Sequence, residues 1–298
     1  MRVHRSWLWL ALLALLALAP GVVRAQPVMS WALQDFAPIY MPVDGKPGDG
    51  INDALLKDIV REMPGMEHRY VVASAARIYA LLDAGEPICF VGGLRTPERE
   101  QLYWLSDVKL APPLQLIAHR RVLKQLPLDG AGRVRLPELL ARPGLRGVLV
   151  SKRSYGVALD AQLAQRPAGA TVSMLGSGSM GSNFYDMLRL DRADYTLDYD
   201  FMLLHRQRLD GHKHEDLVIL PIQGNDLPVR VVAACPRTPW GLAAIQRIDH
   251  VLAGLARTAG LGLPDPRWTT PEVDRLYGPA MRAFNLTRRV PTPGLGAP

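Results

Sequence analysis

Strand-like and helix-like segments alternate along most of the chain, and this alternation constrains the fold more than any other feature. Short apolar runs, such as VMSWALQ (Val28–Gln34) and RGVLVS (Arg146–Ser151), are typical of buried strands. Between them lie segments with apolar residues at helical spacing, such as GINDALLKDIVREM (Gly50–Met63). Strands that alternate with helices of this length predict an α/β fold built on parallel sheets. The segment TPEREQLYWL (Thr96–Leu105) is predicted to open a further helix or a tight turn.

Residues 1–25 have the layout of a cleaved secretory signal peptide. A basic start with Arg2 and Arg5 precedes an apolar run from Trp7 to Leu18, and cleavage is expected after Ala25. The run is too short to span a bilayer comfortably, and no Cys follows it as in a lipoprotein. The sequence therefore predicts a soluble, exported protein.

Charge and length limit the partners and the number of domains. Removal of the signal peptide takes away three arginines and no acid, so the formal net charge falls from +7 to +4. This charge is spread along the chain without a Lys/Arg run, and we expect no nucleic-acid partner. The mature length suits one large domain or two lobes of about 100–150 residues each. The Pro/Gly-rich tail from 288 to 298 is expected to be loose.

Two motifs raise the possibility of an enzyme, and neither is specific. GSGSMG (176–181) matches G-x-G-x-x-G, but a nicotinamide cofactor is not readily supplied to an exported protein, so a loop before a helix is the favoured interpretation. Ser179 in this segment lacks the first glycine of a nucleophile elbow. The histidines His119, His205 and His250 have no recognisable partner spacing, and HKHED (212–216) is expected to be a solvated loop. We therefore expect no catalysis, cofactor or metal.

The segment LRTPERE (Leu94–Glu100) contains an arginine whose position needs an explanation. Thr96 is a good N-cap and Pro97 suits the first helical position. Arg99, in the first turn, places a cation beside the positive end of the helix dipole, which is unfavourable without an anionic partner. That partner is either a neighbouring carboxylate or a ligand, and the local sequence leaves both open.

Five motifs along the chain are DFAPIYM, GDGINDALLKDIV, GGLRTPEREQLYWLSDV, RADYTLDYD and CPRTPWGLAAIQRIDHVLAGL. Their order and spacing resemble a type II periplasmic solute-binding protein of the amino-acid-binding kind, most closely a little-characterised proteobacterial branch. The resemblance implies two Rossmann-like α/β lobes that are joined by two hinge strands and hold a small ligand between them. It places lobe 1 at 26–115 and 225–298, and lobe 2 at 116–224.

The same resemblance implies ligand contacts from lobe 1. Thr96 and Arg99 match the positions that hold a ligand carboxylate, for which a guanidinium offers a planar two-donor fork. The alternative for Arg99 is a structural salt bridge or a solvated helix face. Arg77 is a weaker second candidate. Asp35 would meet a cationic group and Phe36 would stack on the ligand, although core packing explains Phe36 equally well.

On lobe 2 the resemblance points to the segment VSKRSYG (Val150–Gly156). Ser154 would face an anion at a helix N-terminus or simply cap that helix, and Arg153 and Tyr155 are candidates by position. The family's Asp that pairs with a ligand ammonium falls here on Tyr199. We assign that role to Asp198, although a shift of one residue in a strand turns the side chain to the other face.

The two cysteines, Cys89 and Cys235, lie far apart in sequence. In an oxidising compartment an even pair is more often bridged than free. The resemblance implies that the returning strand runs antiparallel beside the third strand, which predicts a Cys89–Cys235 disulfide. Two buried free thiols are the alternative.

These features together predict a periplasmic binding protein for a small polar, carboxylate-bearing ligand such as an amino acid. The expected partner is an inner-membrane ABC permease or sensor, and the protein is expected to be a monomer. The alternative is a stand-alone sensor or interaction module of the same fold, and a secreted enzyme is a weaker third.

Overall fold

A computed structural model of the chain describes residues 27–151, 153, 155–175, 183–211, 214–258 and 260–295. The predicted signal peptide, Ser154 and the GSGSMG motif lie outside these residues. Within the described ranges, no helix combines the length and the apolar character that a membrane span requires.

The described residues form two five-stranded sheets with helices around them. The strands are β1 (Val28–Gln34), β2 (Glu67–Ala73), β3 (Ile88–Leu94), β4 (Tyr103–Ala111), β5 (Gln115–His119), β6 (Gly147–Val150), β7 (Val172–Leu175), β8 (Tyr195–Asp198), β9 (Leu217–Leu220) and β10 (Val229–Pro236). The helices are α1 (Ile51–Arg61), α2 (Ala75–Asp83), α3 (Pro97–Leu102), α4 (Leu136–Leu140), α5 (Val157–Ala164), α6 (Asn183–Arg189), α7 (Asp200–Asp210), α8 (Pro239–Thr258) and α9 (Pro271–Thr287), with a 3-10 helix at Arg120–Gln125.

The strand order is β2-β1-β3-β10-β4 in the first sheet and β7-β6-β8-β5-β9 in the second. The predicted α/β class with two lobes is confirmed. The prediction of parallel strands holds for β1 with β2 and β3, and for β6 with β7 and β8. It is wrong for β5 and β10, which pair antiparallel with both of their neighbours. Parallel pairing of consecutive strands needs a crossover connection. β5 instead enters the second sheet directly from the first sheet, and β10 enters the first sheet directly from the second.

The chain passes between the two sheets twice. It leaves the first sheet after Ala111 and enters the second at Gln115, through Pro112 and Pro113. It returns between Leu220 and Val229. These crossings make the first sheet discontinuous in sequence, whereas the second sheet is formed by the consecutive strands β5 to β9. The lobe boundaries at 115/116 and 224/225 stay predictions.

Strand β4 replaces the end of a predicted helix. The helix that starts at Pro97 ends at Leu102, and the chain then extends from Tyr103 to Ala111. β4 pairs with β10 from Tyr103 to Ala111, and the register shifts once, at Val108. Pairing with a strand more than a hundred residues away decides the conformation here, and local sequence does not reveal it.

The core of the first lobe lies between its sheet and the surrounding helices. Ile245, Ile248 and Leu252 follow one face of α8 at helical spacing and are fully buried. Leu56 and Ile59 of α1 belong to the same cluster. Two further clusters of buried residues lie in the second lobe.

The start of the C-terminal tail is anchored, which corrects the prediction of a loose tail. The buried Arg288 donates from Nη2 to Asp249 Oδ1 at 2.7 Å. The other carboxylate oxygen of Asp249 accepts from the backbone N–H of Thr292 at 2.7 Å. A buried charge without its partner is costly, so breaking the Arg288–Asp249 pair would destabilise the fold. This contact therefore holds the start of the tail against α8 within the described residues.

Cys89 and Cys235 form the predicted disulfide, and the alternative of two free thiols is excluded. Their Cα atoms are 4.4 Å apart, and both residues are fully buried. The bond joins β3 to β10 across a sequence separation of 146 residues. It therefore links the strand that precedes the second lobe in sequence to the strand that follows it.

Removal of this bond is expected to destabilise the protein strongly. In the chain-entropy model a loop of this length contributes about 4–5 kcal/mol to the free energy of unfolding. The double variant Cys89→Ala with Cys235→Ala should lose about that amount in denaturant unfolding under oxidising conditions. A reducing agent should destabilise the wild type but leave the variant unchanged. Equal stability of oxidised wild type and variant would contradict this account.

Candidate ligand-binding cleft

A cavity of about 720 Å³ is lined by residues of both lobes and by a segment near the C-terminus. Its lining on the first lobe includes Gln34, Phe36, Ile39, Asn52, Asp58, Tyr79, Phe90, Gly92, Leu94, Arg99 and Lys109. On the second lobe it includes Arg153, Tyr199 and Phe201, and near the C-terminus Gly260, Leu261, Gly262, Leu263, Asp265, Arg267, Trp268 and Thr269. Concave, largely apolar sites of this size between two units are typical of small-ligand binding.

The wall of the cleft at Gly92 requires a glycine. Its φ of 126° lies in the region that favours glycine, and a Cβ atom there would be 2.3 Å from Asn52 Nδ2. The missing side chain lets α1 approach β3 closely. Asn52 then accepts a hydrogen bond from Lys109 Nζ at 3.4 Å, which brings α1, β3 and β4 together at the cleft.

Arg99 lines the cleft and has no acidic partner within 4 Å in the part of the chain that the structure describes. Its guanidinium lies 4.4 Å above the ring of Tyr79 and donates from Nη1 to Leu94 O at 2.7 Å. Thr96 caps α3 as predicted, and its Oγ1 accepts from Arg99 N at 3.3 Å. The cap therefore fixes the backbone from which Arg99 extends.

The neighbouring Arg95 shows what a structural salt bridge looks like in the same segment. It donates from Nε to Asp107 at 2.7 Å and from Nη1 to Glu100 at 2.6 Å. The carboxylates of Asp107 and Glu100 are therefore bound to Arg95. The alternatives to a ligand contact for Arg99 are a structural salt bridge and a solvated helix face. Among the described residues, Arg99 forms no salt bridge.

Arg153 and Asp198 form a buried ion pair on the second lobe. Arg153 Nη2 is 2.9 Å from Asp198 Oδ1, and Asp198 is fully buried whereas the Arg153 side chain is 14% exposed. Burial lowers the pKa of Arg153, but the charge and hydrogen bond of Asp198 outweigh this effect and raise it. Asp198 also accepts from the backbone N–H of Tyr199 at 3.0 Å and from the hydroxyl of Tyr185 at 3.3 Å.

Tyr155 lies behind Arg153. Its hydroxyl accepts a hydrogen bond from Val150 N at 2.7 Å, and its ring centroid is 5.1 Å from the Arg153 guanidinium carbon. The buried ring and the Asp198 carboxylate thus hold Arg153 from two sides. Arg153 lines the cleft, and neither Tyr155 nor Asp198 does.

The structure brings together only part of the predicted site. Phe36, Arg99 and Arg153 line the cleft. Asp35 and Arg77 are exposed and lie outside the lining, and Thr96 acts as a cap behind Arg99. The ligand contacts assigned to these residues stay predictions, as does that of Ser154, which lies outside the described residues.

Lys109 is a cleft residue that sequence reasoning missed. It projects from β4, is half-buried, and lines the cavity. Burial lowers its pKa to about 8, against the opposing charge of Asp265. Its position in the cleft follows from β4, so only recognition of that strand would have identified it.

The segment from Gly260 to Thr270, here called the strap, lies between α8 and α9 in sequence and beside the cleft in space. At Gly262 a Cβ atom would be 2.5 Å from Lys109 Cβ, so the strap packs tightly on β4 of the first sheet. Its Trp268 lies under the guanidinium of Arg208 on α7, with 4.0 Å from Arg208 Cζ to the ring centroid. The strap therefore contacts both lobes.

The end of the strap is held by a buried carboxylate. Asp200 Oδ2, at the start of α7, accepts from the backbone N–H of Thr270 at 2.9 Å. Burial raises the pKa of Asp200 to about 6, although the hydrogen bonds from Thr270 oppose this shift. A carboxyl group whose pKa is higher in the folded state stabilises the fold most when it is protonated.

Asp200→Asn should therefore change the pH dependence of stability. The carboxyl contribution is full below about pH 4 and is lost as pH rises through about 6, which amounts to at most about 3 kcal/mol. The free energy of unfolding of the variant, measured relative to wild type, should rise by up to that amount between pH 4 and 7.

The exposed Asp44→Asn is the control for this measurement, and its difference from wild type should stay within about 0.5 kcal/mol. A difference between Asp200→Asn and wild type that is flat across this pH range would contradict the assignment.

No protein-family model matches the chain, and no curated protein matches it in sequence. Solved structures do match. A histidine kinase sensor domain with similarity to periplasmic binding proteins has a TM-score of 0.55 at 17% identity, over 79% of this chain and 92% of its own.

Two similar structures come from substrate-binding proteins. One, from work on glutathione import through GshT and the cystine importer TcyBC of Streptococcus mutans, has a TM-score of 0.58 at 12% identity, over 78% of this chain and 91% of its own. The arginine-bound AbpA of Streptococcus pneumoniae has a TM-score of 0.54 at 17% identity, over 91% and 99%. At these identities the likeness shows the fold, which is that of the type II periplasmic binding proteins.

Proposed function

We propose that this chain is an exported solute-binding protein of the periplasm that binds a small, carboxylate-bearing ligand between its two lobes. The observation that carries the proposal is Arg99, a cleft-lining guanidinium without an acidic partner among the described residues. A cation in this position stabilises a bound anion, and its planar fork matches the two oxygens of a carboxylate.

Arg153 provides a second cationic contact from the opposite lobe. Tyr155 and Asp198 hold its guanidinium in place, so we assign these two residues a positioning role and Arg153 the ligand contact. Phe36 supplies an apolar surface beside the same cleft. A ligand that contacts both lobes favours the closed arrangement over the open one, which is how such proteins signal occupancy.

A membrane partner would bind the closed, ligand-bound form. The structural neighbours include proteins of amino-acid ABC importers, which supports a transport role with an inner-membrane permease. The sensor domain among them supports the second candidate, a stand-alone sensor or interaction module. We expect a monomer in either case, and we propose no catalytic role.

Ligand binding is tested first by thermal shift on residues 26–298. The panel contains amino acids, small carboxylates and short peptides. At least one carboxylate should raise the melting temperature of the wild type, because a ligand that binds only the folded state stabilises it. Arg99→Ala removes a charge-assisted hydrogen bond, so it should raise the Kd for that ligand about 10- to 100-fold.

Arg247→Ala is the matched control, since Arg247 is an exposed arginine on α8 of the same lobe. It should bind the ligand as the wild type does. Equal loss in both variants would indicate a general charge effect, and silence across the panel would reject the binding function.

A further inference from the structure

Both acids that line the cavity are paired within the part of the chain that the structure describes. Asp58 and Asp265 line the cavity, and each pairs with an arginine, at 2.8 Å to Arg61 and 2.7 Å to Arg267. Asp198 is fully buried behind Arg153. Each acid among the described residues of the lining is therefore paired with an arginine, and Asp35 is exposed and lies outside the lining.

The cations of the cleft are far less neutralised. Arg99 and Lys109 have no acid within 4 Å among the described residues. Arg153 uses only Nη2 for its bond to Asp198, out of five N–H donors in a guanidinium. Two of these cations belong to the first lobe and one to the second.

This imbalance disfavours a zwitterionic amino acid. Its single α-carboxylate would satisfy one arginine, whereas its ammonium group would enter a cationic site without a carboxylate partner. An unpaired, partly desolvated charge is costly. A ligand with two separated carboxylates instead supplies one anion to each lobe.

We propose that the ligand is a dicarboxylate without an ammonium group, bound with one carboxylate at Arg99 and the other at Arg153. The proposal rests on the proposed function, because it names the ligand class of the same cleft. The lining that contains the two arginines also includes the aromatic residues Phe36, Tyr199 and Phe201, the latter two rings stacked with centroids 4.8 Å apart. An apolar carbon chain between the carboxylates fits this surface.

The test is calorimetric titration of residues 26–298 with straight-chain dicarboxylates from succinate to pimelate, with glutarate as the reference. Glutamate adds only an ammonium group to glutarate, and glutaramate replaces one carboxylate with an uncharged amide. The best dicarboxylate should bind, and glutamate and glutaramate should each bind about tenfold more weakly than glutarate.

Two variants assign the two carboxylates. Arg99→Gln removes the first cation. Arg153→Met combined with Asp198→Asn removes the second cation together with its buried partner, so that no unpaired charge remains in the core. In each variant the preference for glutarate over glutaramate should fall from about tenfold to near one. Arg142→Ala, an exposed arginine on the second lobe, should keep the full preference.

The outcomes separate this proposal from the proposed function. If glutamate binds as tightly as glutarate and Arg99→Gln weakens both, the cleft binds solutes but the dicarboxylate assignment is overturned. If inorganic phosphate matches the best dicarboxylate, recognition by two separated arginines is overturned. If neither this series nor the wider panel binds, both proposals fail.

Discussion

The antiparallel pairing of β10 with β3 and β4 is the constraint on which the rest of the structure depends. β10 follows the strands of the second sheet in sequence and pairs between β3 and β4 of the first sheet. The first sheet is therefore complete only when this strand is in place. The Cys89–Cys235 bond holds it there covalently. The helices that follow, α8 and α9, take their positions from it, and so does the strap that contacts both lobes beside the cleft.

The electrostatics of the cleft follow from how the two lobes hold their arginines. On the first lobe, Arg95 binds the carboxylates of Asp107 and Glu100, whereas Arg99 lines the cleft without an acidic partner among the described residues. On the second, Asp198 is used to hold Arg153 instead of facing the cavity. The result is a site with cations on both sides, in which each described acid of the lining is paired with an arginine. This pattern explains why we favour a dianion over a zwitterion.

Local sequence rules predicted the features that depend on neighbouring residues. The helical spacing of α1 and the Thr96 cap of α3 are examples, and the resemblance added the two-lobed fold and the disulfide. Strand β4 was missed because its conformation depends on pairing with β10, and Lys109 was missed with it. The contact of Trp268 with Arg208 depends on packing between segments that are distant in sequence, which no periodicity reveals.

The central claim is that the cleft holds an anion between arginines of the two lobes. The most direct test is a crystal structure of residues 26–298 grown with saturating glutarate. We predict one carboxylate within hydrogen-bond distance of the Arg99 guanidinium and the other within hydrogen-bond distance of Arg153, about 2.7–3.0 Å. A glutarate bound elsewhere, or a cleft without one at this concentration, would contradict the account.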